Sequence, residues 1–300
     1  MISRKYHKLI TKAKELHLQG KLEEAHSIYD EAFTYRLEID DYLAFGYLKM
    51  EMNNFYEAEA IFKGILSIVD HPSATFGLAI IDSELGRPHE AIKKYEELMA
   101  MNITDPMVYK NVADMYDDID DSNKAIEYYL KSIEANGDPF WPYTNIGAIY
   151  ESMNEDKLAL SYFLKAYKVN PKEKIISYNL GVVYGKLKQY DLAIKHYLEE
   201  LGKENHHEMT YYNLALAYKD GYKDYQNAKK YYLLGLQEKQ DNYVIWYNLG
   251  CVHALLGDYD DAYECFVYLK YKAPDFIKSI DTDDELEAFR KTEQYHLIMG

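Results

Sequence analysis

The sequence predicts an all-α fold: a right-handed superhelical solenoid of eight helix-turn-helix repeats closed by a C-terminal capping segment. Three observations predict it. Alanine recurs at Ala25, Ala58, Ala91, Ala125, Ala159, Ala193, Ala228 and Ala262, at spacings of 33, 33, 34, 34, 34, 35 and 34 residues. Four residues after each alanine stands an aromatic: Tyr29, Phe62, Tyr95, Tyr129, Phe163, Tyr197, Tyr232 and Phe266. One helix earlier stands a residue with almost no side chain: Ala13, Gly46, Ala79, Ala113, Gly147, Gly181, Ala215 and Gly250. Two antiparallel helices approach closely only where side chains are nearly absent, so the small residue of the first helix faces the alanine of the second. The aromatic lies one helical turn beyond that alanine on the same face and fills the space left over.

The last repeat carries the pattern most fully: Trp246-Tyr-Asn-Leu-Gly250, Gly257-Asp-Tyr, Ala262, Phe266 and Pro274. This Trp-x2-Leu-Gly, Ala-x3-Phe, Pro spacing resembles the tetratricopeptide repeat, a 34-residue helix pair. With Trp246 as position 4, the small residue falls at position 8, the alanine at 20 and the aromatic at 24. Neither helix pair buries its apolar face alone, and stacking the pairs makes one continuous core.

The repeats are expected near 6–38, 39–71, 72–105, 106–139, 140–173, 174–207, 208–242 and 243–276, an array over 1–274 followed by a capping segment over 275–300. The first has Leu9 and Lys12 where Trp and Leu are usual, as terminal repeats often do. The second and third turn at Asn53 and Gly86, and Pro88 falls in a first helical turn, where proline is tolerated. The fourth turns through Asp117-Asp118-Ile119-Asp120-Asp121, which lacks the glycine and the glutamate of a calcium-binding EF-hand loop. The fifth opens with Asp138-Pro-Phe-Trp-Pro, and the seventh has one extra residue in Asp220-Gly-Tyr-Lys-Asp-Tyr225, an inexpensive change in a turn. Beyond Pro274 the pattern stops, and Phe276, Ile277, Ile280, Leu286, Phe289 and Tyr295 are suited to cover the last open face, with Asp283-Asp284-Glu285 reading as a helix start.

Composition narrows the function classes. The 300 residues carry 34 basic and 50 acidic side chains, a net charge of −16. That opposes phosphate-backbone binding, so neither nucleic acid nor an anionic membrane is expected as a partner. No run reaches the roughly 18 apolar residues of a membrane helix, and Met1-Ile-Ser-Arg-Lys leads straight into helical pattern, so a cytoplasmic location is expected. Cys251 and Cys265 sit on different helices and faces, and reduced thiols are expected. Most of the 33 tyrosines fall at repeat positions that call for aromatics.

Helical arithmetic places positions 4, 7, 8 and 11 of each first helix in the core and 2, 5, 6, 9, 12 and 13 on the opposite stripe. In tetratricopeptide proteins that stripe lines the concave surface. Position 6 is asparagine five times running, at Asn111, Asn145, Asn179, Asn213 and Asn248. An amide complements a peptide unit, so a file of them can hold an extended backbone without reading its sequence. The series resembles the asparagine ladders of the O-GlcNAc transferase superhelix and the kinesin light chain.

Around it lie Trp141, Ile175, Tyr178, Val182, Met209, Tyr212, Leu216, Val244 and Tyr247, an apolar floor that asks for a cover, either a partner segment or the chain's own tail. Glu51, Glu84, Asp114, Asp117, Asp118 and Glu151 continue the stripe upstream and favour a partner with basic as well as apolar residues. The chaperone-tail clamp is not reproduced, because Asp114 follows Lys110 where that clamp has asparagine.

No metal-binding, phosphate-binding or nucleophile motif is present, so neither an enzyme nor a cofactor is expected. His206 and His207 read as exposed loop residues and His253 as a packed core side chain. The expected function is a protein-protein interaction scaffold or adaptor binding an extended or helical segment of a partner in the groove. The alternatives are a receptor for a short signalling peptide, similar to Gram-positive quorum-sensing regulators, and a regulatory subunit or inhibitor of an enzyme.

Overall fold

Antiparallel helix pairs follow one another along the whole chain. The structure, a computed structural model, describes residues 2–300. The eight pairs are α1 (Ile2–Leu18) with α2 (Leu22–Phe33), α3 (Ile39–Glu51) with α4 (Phe55–Leu66), α5 (Pro72–Glu84) with α6 (Pro88–Ala100), and α7 (Pro106–Asp118) with α8 (Ser122–Glu134). They continue with α9 (Phe140–Ser152) and α10 (Asp156–Val169), α11 (Ile176–Lys186) and α12 (Tyr190–Leu201), α13 (Thr210–Tyr222) and α14 (Tyr225–Glu238), and α15 (Tyr243–Leu256) and α16 (Tyr259–Lys272). Among the described residues there is no strand.

Local chemistry sets the helix ends. Pro72, Pro88 and Pro106 each open a helix at a position whose N–H has no intrahelical partner. Asp105, Asp121, Asp224 and Asn242 cap helices by accepting from the backbone N–H of Met107, Lys124, Asn227 and Ile245 at 2.7, 3.2, 3.0 and 3.2 Å. Within every pair the turn passes through one left-handed residue five positions before the repeat alanine: Gly20, Asn53, Gly86, Asp120, Asn154, Lys188, Lys223 and Gly257. Glycine and asparagine adopt that backbone at little cost. The lysines have no such ease, so closure of the pair is what holds them there.

Packing follows the three repeat positions. All eight alanines are fully buried, and the eight aromatics are no more than 3 % exposed. A Cβ added at Gly46, Gly147, Gly181 or Gly250 would lie 2.5–2.8 Å from the ring of Phe62, Phe163, Tyr197 or Phe266. The ring therefore occupies the volume that a side chain at position 8 would need.

A second pairing runs beside it, between position 11 of the first helix and position 23 of the second. Tyr116 stacks on Tyr128, Tyr150 on Tyr162, Tyr184 on His196 and Tyr218 on Tyr231, with centroids 5.5–5.6 Å apart. In the third repeat the same two positions hold Asp82 and Lys94, ion-paired at 2.5 Å.

The helices form two compact units, one running to Pro142 and the other from Tyr143. In the first, Tyr6 donates to Asp41 at 2.6 Å and Lys14 binds its second oxygen at 2.7 Å, tying α1 to α3. In the second, the chain beyond α16 makes 3-10 turns at Pro274–Ser279, Asp284–Leu286 and Phe289–Lys291 and ends in α17 (Glu293–Met299). Asp283 caps a single 3-10 turn, accepting from Glu285 N–H at 3.0 Å. Ile277, Ile280, Leu286, Phe289 and Ile298 are buried against Ala254, Ala262, Phe266 and Leu269, covering the outer side of the final pair.

Gly181→Val tests the central contact. The branched side chain must displace the Tyr197 ring, and overpacking of this kind costs about 1–3 kcal/mol. A urea titration should show the loss, and restoring it with Tyr197→Leu should recover part of it.

Candidate functional site

The asparagine series and its tyrosines lie on the first helices of the pairs. In the second unit α11 and α13 adjoin one another directly, so residues of successive first helices share one face. Asn179, Asn213 and Asn248 are half-buried there, each preceded by a tyrosine. The amide of Asn213 donates to the Tyr178 hydroxyl one repeat back at 3.1 Å. Asn248 donates to Val244 O at 2.9 Å.

The ladder amides are therefore partly committed to neighbouring acceptors, whereas the sequence suggested that they face a ligand alone. What remains open at each rung is the amide oxygen and the tyrosine O–H, one acceptor and one donor. Asn179 makes no side-chain hydrogen bond to the described residues, and Asn145 is half-buried and partnered. Burial raises the pKa of Tyr178 and of Tyr212, so both stay protonated donors.

Beside Asn213 lies a cleft of about 320 Å³ lined by Val182, Lys186, Tyr190, Tyr197, Leu216, Ala217 and Asp220. Glu151, on the stripe one repeat earlier, is ion-paired to Lys186, which also stands 4.0 Å from Asp156. Glu151 is thus neutralised, contrary to its reading as a free acid for a basic partner. At the cleft's other rim Asp220 is 3.5 Å from Lys219, whose ammonium is buried and held by both oxygens of Glu285 at 2.6 and 2.7 Å. Burial opposes that charge, and Glu285 and Asp220 outweigh it, so the Lys219 pKa is raised.

The tail reaches the stripe at a second point. Tyr247 donates to Asp283 at 2.8 Å and contacts Phe276 with centroids 6.1 Å apart. Tyr247 is therefore bound by the chain itself, and the C-terminal turns cover that end of the face. Trp141 stands 46 % exposed, edge-on to Phe140.

The loops that precede α11 and α13 are held by a buried ion pair. Glu200, 1 % exposed at its side chain, is 3.0 Å from Lys203. Its other oxygen accepts from the backbone N–H of Ile175 at 3.4 Å and of His207 at 3.3 Å. Lys203 donates on to Glu173 O and to Ser177 Oγ at 2.7 and 3.0 Å. Ile175 is left-handed, φ 69°, which a β-branched residue rarely tolerates, and it immediately precedes α11. His207 stacks on Tyr178 at 3.9 Å, and His206 binds Glu238 at 3.1 Å. Both histidines are half-buried and engaged, correcting the expectation that they are exposed loop residues. The Glu200 anchor escaped the sequence reading; its one trace was Glu200 three residues before Lys203 at a helix end.

In the first unit Asn111 donates to Tyr95 at 3.2 Å. Asp114 is bound twice, by Lys110 and by the Tyr129 hydroxyl, both at 2.6 Å, so it is not the free acid expected. Asp117 does reach solvent, at the last turn of α7. Desolvation, then the carboxylates of Asp118, Asp114 and Asp120, push its pKa above the ordinary 3.8.

The comparisons bear on the fold. A sequence model of the tetratricopeptide-repeat family matches residues 108–139, 142–173, 176–199 and 243–267. Solved structures share the fold. The C-terminal part of a tetratricopeptide-repeat protein from Cytophaga hutchinsonii superposes with a TM-score of 0.68 at 17% identity, over 83% of this chain and 100% of that one. A tetratricopeptide-repeat protein from Parabacteroides merdae gives 0.59 at 15% identity, over 82% and 98%. Pseudomonas aeruginosa PilF gives 0.58 at 17% identity, over 68% and 93%. No curated protein sequence matches this chain. The chain thus carries tetratricopeptide repeats and has the tetratricopeptide-repeat fold. None of its described helices is long and apolar enough to cross a membrane.

Two outcomes follow. Glu200→Ala leaves Lys203 buried without its partner and should cost about 3–5 kcal/mol in urea unfolding, with loss of the His207–Tyr178 contact visible in their proton shifts. Asp117 has a folded-state pKa above its unfolded value, so its ionisation works against folding and stability falls as pH rises through the raised pKa. Asp117→Asn should accordingly raise the thermal midpoint at pH 7, and the gain should vanish below pH 3.8, where both states are protonated.

Proposed function

We propose that this protein is an interaction scaffold that holds a peptide segment of a partner protein along the first-helix face of the second unit, centred on the cleft beside Asn213. The observation that carries this reading is the cleft itself: an apolar recess of about 320 Å³ flanked by unspent hydrogen-bonding groups. Val182, Leu216 and Ala217 offer an apolar seat, the Asn179 amide and the Asn213 oxygen address a backbone, and Asp220 marks one rim.

Such a site takes one large apolar side chain with a backbone amide on each side. With Glu151 neutralised by Lys186 and Lys219 by Glu285, Asp220 is the rim charge that selects, and a basic residue next to the apolar anchor suits it. The hydrogen bonds contribute about 0.5–1.5 kcal/mol each, so the seated side chain supplies most of the affinity and the amides set direction. Tetratricopeptide-repeat proteins are binding rather than catalytic modules, which fits the proposed role. Asn145 belongs to the proposal as a flanking contact within the second unit, whereas Asn111, Asp114, Asp117 and Trp141 belong to the first unit and are not part of it.

Selection from a random peptide display library tests the reading. Enriched peptides should pair a large apolar residue with an adjacent lysine or arginine. Leu216→Asp should weaken them by at least about tenfold, the loss of about 1.4 kcal/mol or more, and Asn179→Ala with Asn213→Ala by a similar factor. Asp220→Lys should move the selection towards acidic neighbours. Enrichment that is indifferent to all three changes places the binding surface elsewhere.

A further inference from the structure

The last repeat breaks the pairing of positions 11 and 23. Where the four preceding repeats stack two rings, it has His253 and Cys265. His253 is 5 % exposed, and its Nδ1 is buried with no hydrogen-bond partner. Such an atom loses its hydration without compensation, which calls for an explanation.

Nδ1 faces two carboxylates from the start of α16. Asp261 lies 3.4 Å away and Asp258 3.7 Å away, neither in hydrogen-bonding geometry. All three ligand atoms fall within 4.8 Å of one another. Asp258 has a further oddity. At the same repeat position Asp121 and Asp224 cap their helices through the side chain, whereas the Asp258 carboxylate makes no capping bond to α16. It is turned to the histidine instead. The backbone holds this register, because Asp258 N–H donates to His253 O at 2.9 Å across the left-handed Gly257.

We propose that His253, Asp258 and Asp261 form a binding site for a divalent transition ion such as Zn²⁺ or Co²⁺. One nitrogen and two carboxylate oxygens are three ligands, and water completes the set. Tetrahedral zinc with ligands at about 2.0–2.2 Å spaces its donor atoms roughly 3.3–3.6 Å apart, close to the two distances from Nδ1.

Lys229 of α14 is the competing cation. Its ammonium stands 3.5 Å from Asp258 and 4.0 Å from Asp261 on a long, partly exposed stem. It neutralises the carboxylates when no ion is bound and swings to solvent when one is. The bound ion fastens the end of α15 to the start of α16, so its role is structural, and its binding free energy adds to the stability of the final pair.

Co²⁺ titration of the chelator-treated full chain, followed by visible absorption, tests this. Wild type should bind one equivalent with the intense bands of a low-symmetry, near-tetrahedral site. Asp261→Asn should weaken binding by about 100-fold or more, since changes beyond the direct ligands already cost 10–100-fold. Lys229→Met should tighten it, an effect that a chance cluster of surface acids elsewhere would not show. His253→Tyr with Cys265→Tyr installs the ring pair that other repeats carry, so it should fold and lose the bands. Zn²⁺ should raise the thermal midpoint of wild type and leave that double variant unmoved. Equal Co²⁺ affinity in wild type, Asp261→Asn and the double variant, or bands of ordinary octahedral Co²⁺ throughout, overturns the proposal.

Discussion

Every helix pair depends on one close contact, in which a residue with almost no side chain lies under an aromatic ring. At Gly46, Gly147, Gly181 and Gly250 the ring atoms stand where a Cβ would be, and the repeat alanine beside them is buried without remainder. The contact sets the distance between the helices, and that distance sets which residues look outward. Because helix direction is fixed by this packing, position 6 emerges on adjoining first helices within the second unit, where Asn179 and Asn213 stand on α11 and α13. The left-handed residue in each turn answers to the same contact, since the two helices meet only if the chain reverses at that point.

Much of this was legible beforehand because it repeats. Alanine at position 20 in eight copies is a packing statement that no single helix could make, and the helix pairs follow from it. The tyrosines and asparagines were equally legible as residues of one stripe. Their hydrogen bonds were not, since Asn213 reaches back a full repeat to Tyr178, a relation set by stacking distance and invisible in local spacing. Glu151 misled for a related reason, since it looked available yet pairs with Lys186 from another repeat; the partner of Asp114, Lys110, stands one turn before it on the same helix. The tail was legible as apolar cover and as one of two candidate covers of the stripe, but its polar contacts were not, because Asp283 and Glu285 reach Tyr247 and Lys219 across dozens of residues.

Rigidity and openness are distributed unevenly along the second unit. The Glu200–Lys203 pair fixes the loops that precede α11 and α13 and holds Ile175 in a backbone conformation that isoleucine alone would leave. The cleft lies immediately beyond, between elements that are firmly placed, so a ligand entering it meets preorganised amides and loses little to ordering them. Towards the C-terminus the same face is closed by the chain's own acids. The proposed binding surface would therefore have one built end, and a partner segment held there would run away from it.

The pairing of positions 11 and 23 differs in kind from the small-residue contact. Stacked tyrosines, an aspartate with a lysine, and a histidine opposite a cysteine all occupy it, in helix pairs of the same architecture. A solenoid made by copying one unit begins with every copy alike and must differentiate without unfolding. A slot that accepts stacking, ionic or ligand chemistry at constant helix spacing gives each duplicate that freedom, so individuality in this protein can accumulate beside the scaffold while the scaffold stays the same.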